Sequence, residues 1–266
     1  MQTVSDKDEL QQGLLDAIEE TYARIENWRQ TFATLRLPYD TSPLARDDKT
    51  WPLYSVSTAA WTSMASAYDH LDLMRLTIES RRLFPTAQFS VLRGALVAAS
   101  QAVWLLAPNS SDERVARGLQ VAAEYYRHMR NWAIEADESA LIVSRTALSI
   151  EEQIASMNES IAAIKRISPK LPQLSLTESV IPEAAAAAFD DSHRSQALHW
   201  WRTFGGDAHV LGWQWNTRDF IDTKSDGVMA SRQVGGSLDD VGSPYLYTVA
   251  LLKWALRRYE VLRLPV

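Results

Sequence analysis

Apolar positions recur along most of this chain at helical spacing, and prolines and capping residues cut the pattern into segments. Leu10, Leu14, Ile18, Ile25, Trp28 and Phe32 share one stripe. It predicts a first helix capped at Ser5 and running to about Leu35, before Pro38 stops it. Tyr39–Pro52 is proline-punctuated with a charged middle and is expected to be a loop. A second helix is expected from Ser55 or Ser57 to about Arg81. Pro85, at a position that a first helical turn tolerates, opens a third to about Leu106. Ser110 with Glu113 and Ser149 with Glu152 have capping-box spacing, so helices should follow to about Ser144 and Ile167.

The stretch Ser168–Pro182 carries Pro169, Pro172 and Pro182 and is expected to be a loop (168–182). Asp190, Asp191 or Ser192 can cap the next helix, with Gly205–Gly206 as its stop and Asp207 capping a short successor. Residues 217–243 lose the helical period. The Asp226–Gly227 pair between Phe220–Thr223 and Val228–Ser231 allows a small β-hairpin there, and Pro244 opens a last helix to about Arg263. The expected fold class is therefore all-α: an antiparallel helical bundle, one domain over residues 1–266, with an irregular insertion before the last helix.

Composition narrows the chemistry. With 46% hydrophobic and 23% charged residues the chain can build a core, which excludes a disordered or collagen-like protein. A formal charge of −6 offers no global basic field, so any polyanion site must be local. The absence of cysteine excludes disulfides, thiolate metal sites and cysteine nucleophiles. Met1–Gln12 is polar and acidic, which predicts no secretory leader and a cytoplasmic protein. Gly94–Leu106 and Val249–Leu256 are interrupted by Ser100, Gln101 and Lys253 and read as buried helices rather than membrane spans. No Gly-x-Ser-x-Gly elbow, P-loop or dinucleotide fingerprint is present. Asp69–His70–Asp72, Glu124 with His128, and His193 could contribute metal ligands, but their spacing matches no zinc or di-iron motif, so no metal or other cofactor is expected.

The polar and aromatic residues concentrate in Asp190–Arg218, which holds His193, His199 and His209 with Trp200, Trp201, Trp213 and Trp215. Two arginine–histidine pairs lie here, Arg194 with His199 and Arg202 with His209. On an unbroken helix the first pair is rotated by about 140° and cannot share a face. A bend at Gly205–Gly206 would fold His209, in the first turn of a new helix, toward Arg202. An amide-rich helix start would hold its imidazole neutral, and an arginine fork suits phosphate oxygens. The bland alternative is a cationic helix end, with the tryptophans as core or interface anchors.

Both pairs match the loose R-x4-6-H pattern and so resemble the HEPN superfamily, helical bundles that include metal-independent ribonuclease toxins and antiviral effectors. Leu92–Leu119 together with Trp200–Trp213 is also similar to a family of uncharacterised actinobacterial helical proteins. That likeness rests on Arg93, Trp104, Leu105, Leu106, Glu113, Arg114, Arg117, Arg202, Ala208 and His209. The resemblance implies an endoribonuclease with Arg202 and His209 as catalytic residues. Arg194, His199, Trp200 and Trp213 would contact substrate, and two copies would pair as a homodimer around the cleft. Arg93, Arg114 and Arg117 can equally be salt-bridge partners of Asp112, Glu113 or Glu124. Two other classes remain open: a module whose tryptophan-rich face binds a protein partner, and a bundle with a small-molecule pocket between helices.

Overall fold

The computed structural model describes residues 4–138, 149–218, 220–225, 230–234 and 236–265. They form a mostly antiparallel, all-α bundle: α1 (Val4–Phe32), α2 (Pro43–Asp48), α3 (Val56–Glu79), α4 (Ala87–Leu106), α5 (Ser111–Glu138), α6 (Ile150–Ile167), α7 (Ile181–Ala188), α8 (His193–Ala208) and α9 (Leu238–Arg263). A two-stranded antiparallel ribbon, β1 (Phe220–Ser225) with β2 (Ala230–Val234), precedes α9 and pairs Phe220 with Val234 at its open end. A hairpin is present where the sequence allows one, with its second strand over Ala230–Val234 rather than Val228–Ser231. The expected turn at Asp226–Gly227 lies outside the described residues.

Helix α4 is the centre of the bundle. Its apolar residues run round the whole helix, so α3, α8 and α9 can all bury surface against it, as can α7. By length and composition alone it could cross a membrane, which the sequence reading did not expect. However, 61% of its apolar window is buried against other helices, as befits a core helix. Leu92, Ala95, Leu96, Ala99, Ala102, Val103, Leu105 and Leu106 belong to one apolar cluster with residues of α1, α3, α7, α8 and α9. Cross-helix contacts fix the directions. Gln101 of α4 reaches Ser63 of α3 while Gly94 meets His70, so α3 and α4 are antiparallel. Thr21 meets Tyr245 and Arg36 meets Glu260, so the first and last helices run parallel.

Several helix ends differ from the sequence expectation, each for a local reason. α1 already includes Val4, ahead of the expected cap at Ser5, and ends at Phe32. The expected loop 39–52 contains α2, with Pro43 in its first turn and the Ser42 hydroxyl accepting the Ala45 N–H at 3.1 Å. Pro182, read as a loop breaker, likewise occupies the first turn of α7. Helix α9 starts six residues before Pro244, capped by Ser237, and Pro244 falls inside it. The Ser149–Glu152 capping box forms in both directions, at 2.7 and 3.1 Å. The expected run of α5 to Ser144 passes beyond the described residues.

The largest correction concerns Gly205–Gly206. Both glycines lie within α8, which continues to Ala208; Asp207 caps no new helix and is buried. A Cβ at Gly206 would sit 2.8 Å from Gln214 Oε1, so close packing, not a turn, calls for glycine. The helix stops instead through a Schellman pair, Leu211 N–H to the Gly206 carbonyl (2.9 Å) and Val210 N–H to the Asp207 carbonyl (3.1 Å). That motif needs a left-handed residue at its penultimate place, and Val210 holds it at φ 56°. A β-branched residue there costs about 1–2 kcal/mol, and the 88% exposed side chain recovers nothing by burial. Val210→Gly is therefore expected to stabilise the protein by up to about 1 kcal/mol, a rise of roughly 2 °C in the thermal midpoint by calorimetry. Val210→Ala should leave most of the strain in place.

Candidate functional site

The facing sides of α3 and α4 carry a polar stripe inside an otherwise apolar interface. On α3, Thr62, Ser63, Ser66 and His70 fall at steps of one, three and four residues. On α4, Ser90, Arg93, Gly94, Val97, Ala98 and Gln101 alternate steps of three and one and so share one face. Together with Tyr54 and Leu176 these residues line a groove of about 460 Å³, and none of them is acidic.

Arg93 is the one cation among these residues that is charged at every pH the protein meets. Its Nε is buried without a hydrogen bond, and no carboxylate pairs with it among the described residues. Its guanidinium carbon lies 5.2 Å from the Trp201 ring of α8, so an indole face covers one side of the charge. His70 stands close to the next residue of α4. Its Nδ1–H donates to the Ser66 carbonyl at 2.7 Å, which leaves Nε2 as the ring nitrogen without a hydrogen bond among the described residues. The imidazole lies directly over Gly94, where a Cβ would come 2.5 Å from Nε2. At the far end Gln101 Nε2 donates to Ser63 Oγ (2.9 Å), and Ser63 donates to the Ala59 carbonyl (2.7 Å). Tyr54 stacks on Tyr125 at 4.2 Å with the rings 6° from parallel. Burial, then the neighbouring Tyr125 and Tyr126 hydroxyls, push the Tyr54 phenol upward, so it stays neutral and able to donate.

The other arginines of the α4–α5 pattern are committed to structure. Arg114 Nε donates to Asp47 at 2.6 Å and its NH1 to the Pro108 and Asn109 carbonyls, all buried or nearly so. Arg117 bonds the Trp104 carbonyl, Glu113 and Glu183, and lies over the Trp104 ring. Of the salt-bridge partners expected from helical spacing, Glu113 is used. Asp47 and Glu183 come from distant elements that spacing could not reveal.

The sequence-predicted site residues do not gather in a cleft. Arg202 and His209 are exposed, and neither side chain has a partner among the described residues. With no bend between them, seven helical positions bring them to nearly one face, about 10 Å apart along the axis. His209 is the C-terminal cap of α8, at the carbonyl end of a helix rather than the amide end expected. Arg194 is tied to Asp191 at 2.7 Å and His199 is exposed. Trp200 packs edge-on against Tyr247 at 4.9 Å, whereas Trp213 is 44% exposed, next to Leu211 and Trp215. Asp69, His70 and Asp72 do not converge on a metal, since Asp72 is held by Arg29 and Arg75. Glu124 is bonded to Arg127 and His128, and His193 to Asp190. Among the described residues no group of three or more metal-ligating side chains forms. No family model, no curated protein and no solved structure matches the chain.

The groove depends on a glycine that helix propensity disfavours. Gly94→Ala is expected to force the His70 ring out of place, lowering stability by about 1–3 kcal/mol in denaturant unfolding. It should also displace the His70 imidazole resonances in NMR while leaving those of His199 and His209 unmoved.

Proposed function

We propose that this chain is a small-molecule-binding helical bundle whose α3–α4 groove receives an anionic group, phosphate or carboxylate, on Arg93. One observation carries the reading: a partly buried guanidinium, with one nitrogen fully desolvated and no carboxylate partner among the described residues, on a wall without acidic residues. An uncompensated charge in such a place is costly, and an anion that accepts its remaining N–H groups offsets that cost. His70 Nε2 and the serine hydroxyls supply further hydrogen-bonding capacity around the same point. Titration with inorganic phosphate is expected to raise the thermal midpoint of the wild type, by about 2.7 kcal/mol of added stability at a hundredfold excess over Kd. Arg93→Ala should abolish the response and Arg93→Lys weaken it. No response, or one equal in Arg93→Ala, overturns the reading.

A second reading follows from the HEPN-like resemblance and is supported by the placement of Arg202 and the capping His209 toward one side of α8, both open to solvent. Here His209 takes the proton of a ribose 2′-hydroxyl, whose oxygen attacks the adjacent phosphorus and expels the 5′-oxygen, while Arg202 stabilises the phosphate charge. In a homodimer the same two residues of a second copy would complete the cleft. This reading expects labelled RNA to be cut in excess EDTA, with His209→Ala losing at least a hundredfold in rate. Intact RNA, or unchanged cutting by His209→Ala, removes it.

A further inference from the structure

The two ends of the α3–α4 groove differ in chemistry. His70, Arg93 and Ser90 form a cationic end; Thr62, Ser63, Gln101 and Tyr54 form a neutral end rich in donors and acceptors. From His70 to Thr62 the distance along α3 is about 12 Å. A lone phosphate would occupy only the first end and leave most of the 460 Å³ unfilled.

The neutral end is preset for a planar, hydrogen-bonding group. The Gln101 amide is held in one orientation by its bond to Ser63, itself fixed by the Ala59 carbonyl. That leaves Oε1 and the second N–H of Gln101 without a partner among the described residues. They are an acceptor and a donor of the kind that glutamine offers to the edge of a heterocyclic base. Tyr54, locked against Tyr125, adds an aromatic surface and a neutral hydroxyl, and Val97 and Ala98 make an apolar wall between the two ends. An acyl chain would leave these polar groups unpaired, and a plain sugar phosphate would not reach them.

We infer that the ligand of this groove is a nucleoside monophosphate, its phosphate on Arg93 beside His70 and its base edge on Gln101 beside Tyr54. The inference rests on the anion-binding reading above and names the molecule that carries the anion. Calorimetric titration of the full chain separates the two. Adenosine, guanosine, cytidine and uridine 5′-monophosphates are compared with ribose 5-phosphate and inorganic phosphate.

At least one nucleotide is expected to bind ten or more times tighter than ribose 5-phosphate. Gln101→Leu and, independently, Tyr54→Leu should erase that advantage while leaving phosphate affinity within about twofold. Arg93→Ala should weaken every phosphate. If no nucleotide exceeds ribose 5-phosphate, the inference fails while the anion site stands. If none of the phosphates binds, both fail. The ranking of ligands on the wild-type protein decides the matter even where a variant folds poorly.

Discussion

Because other helices cover much of α4, a polar group on it is costly unless it is answered inside the bundle or faces an opening. Gln88 accepts the Phe84 N–H, Gln101 holds Ser63, and the Trp104 indole donates to Glu183 at 3.0 Å, while the neutral Gln88 Nε2 and Ser100 Oγ are buried without a partner among the described residues. Arg93, the only charged residue of this helix, is answered among the described residues by an indole face. A cation–π contact of this kind contributes about 1–2 kcal/mol, less than the cost of a desolvated charge without an anion. The architecture around α4 thus creates both the groove and the demand for something negative within it.

The ends of α4 show what the same bundle does with an arginine that has a structural task. At its start, Arg218 pairs with the buried Asp207, donates to the Pro85 carbonyl and lies over Phe89, pinning the end of α8 to the entry of α4. At its end, Arg114 with Asp47 and Arg117 with Glu183 bind the α4–α5 turn to α2 and α7. In each case a carboxylate is brought from a remote element and the donors are filled by carbonyls. Removing either partner of the fully buried Arg218–Asp207 or Arg114–Asp47 pair leaves a buried charge, at a cost of about 3–5 kcal/mol. Arg93 has no such partner among the described residues, although Glu183 shows that α7 can deliver one to α4.

Much of the bundle was legible in the sequence because its signals are local. The Ser149–Glu152 box, the caps around Ser55 and the loss of helical period before β1 all act within a few residues. What misled was also local. Pro43 and Pro182 read as breakers, although a proline is at home in a first turn, and Gly205–Gly206 read as a stop, although Gln214, eight residues past Gly206, sets the need for glycine. His70 was legible as a chemical residue but was weighed as a metal ligand. Arg93 was legible as part of a pattern but not as the unpaired member of it. The usable signal was the period: Ser63, Ser66 and His70 on one helix and Ser90, Arg93 and Gln101 on the next keep helical spacing within apolar segments. No arrangement of spacings, however, reveals which arginine lacks a distant carboxylate.

Burial decides how much a lone cation tells. Arg202 and His209 stand in water, where an unpaired charge is solvated at no cost, so their lack of partners is the ordinary condition of a helix surface. Arg93 is different, because the solvent that would stabilise it has been partly replaced by Trp201 and the α4 core. Gly94 points the same way. A glycine in the middle of a buried helix costs about 1 kcal/mol relative to alanine, and what occupies the vacated space is the imidazole of His70. Two choices that each lower stability, an unpaired half-buried arginine and a mid-helix glycine, are adjacent in the sequence and open on the same groove. Stability alone would select against both, so the groove is where the bundle departs from a mere scaffold.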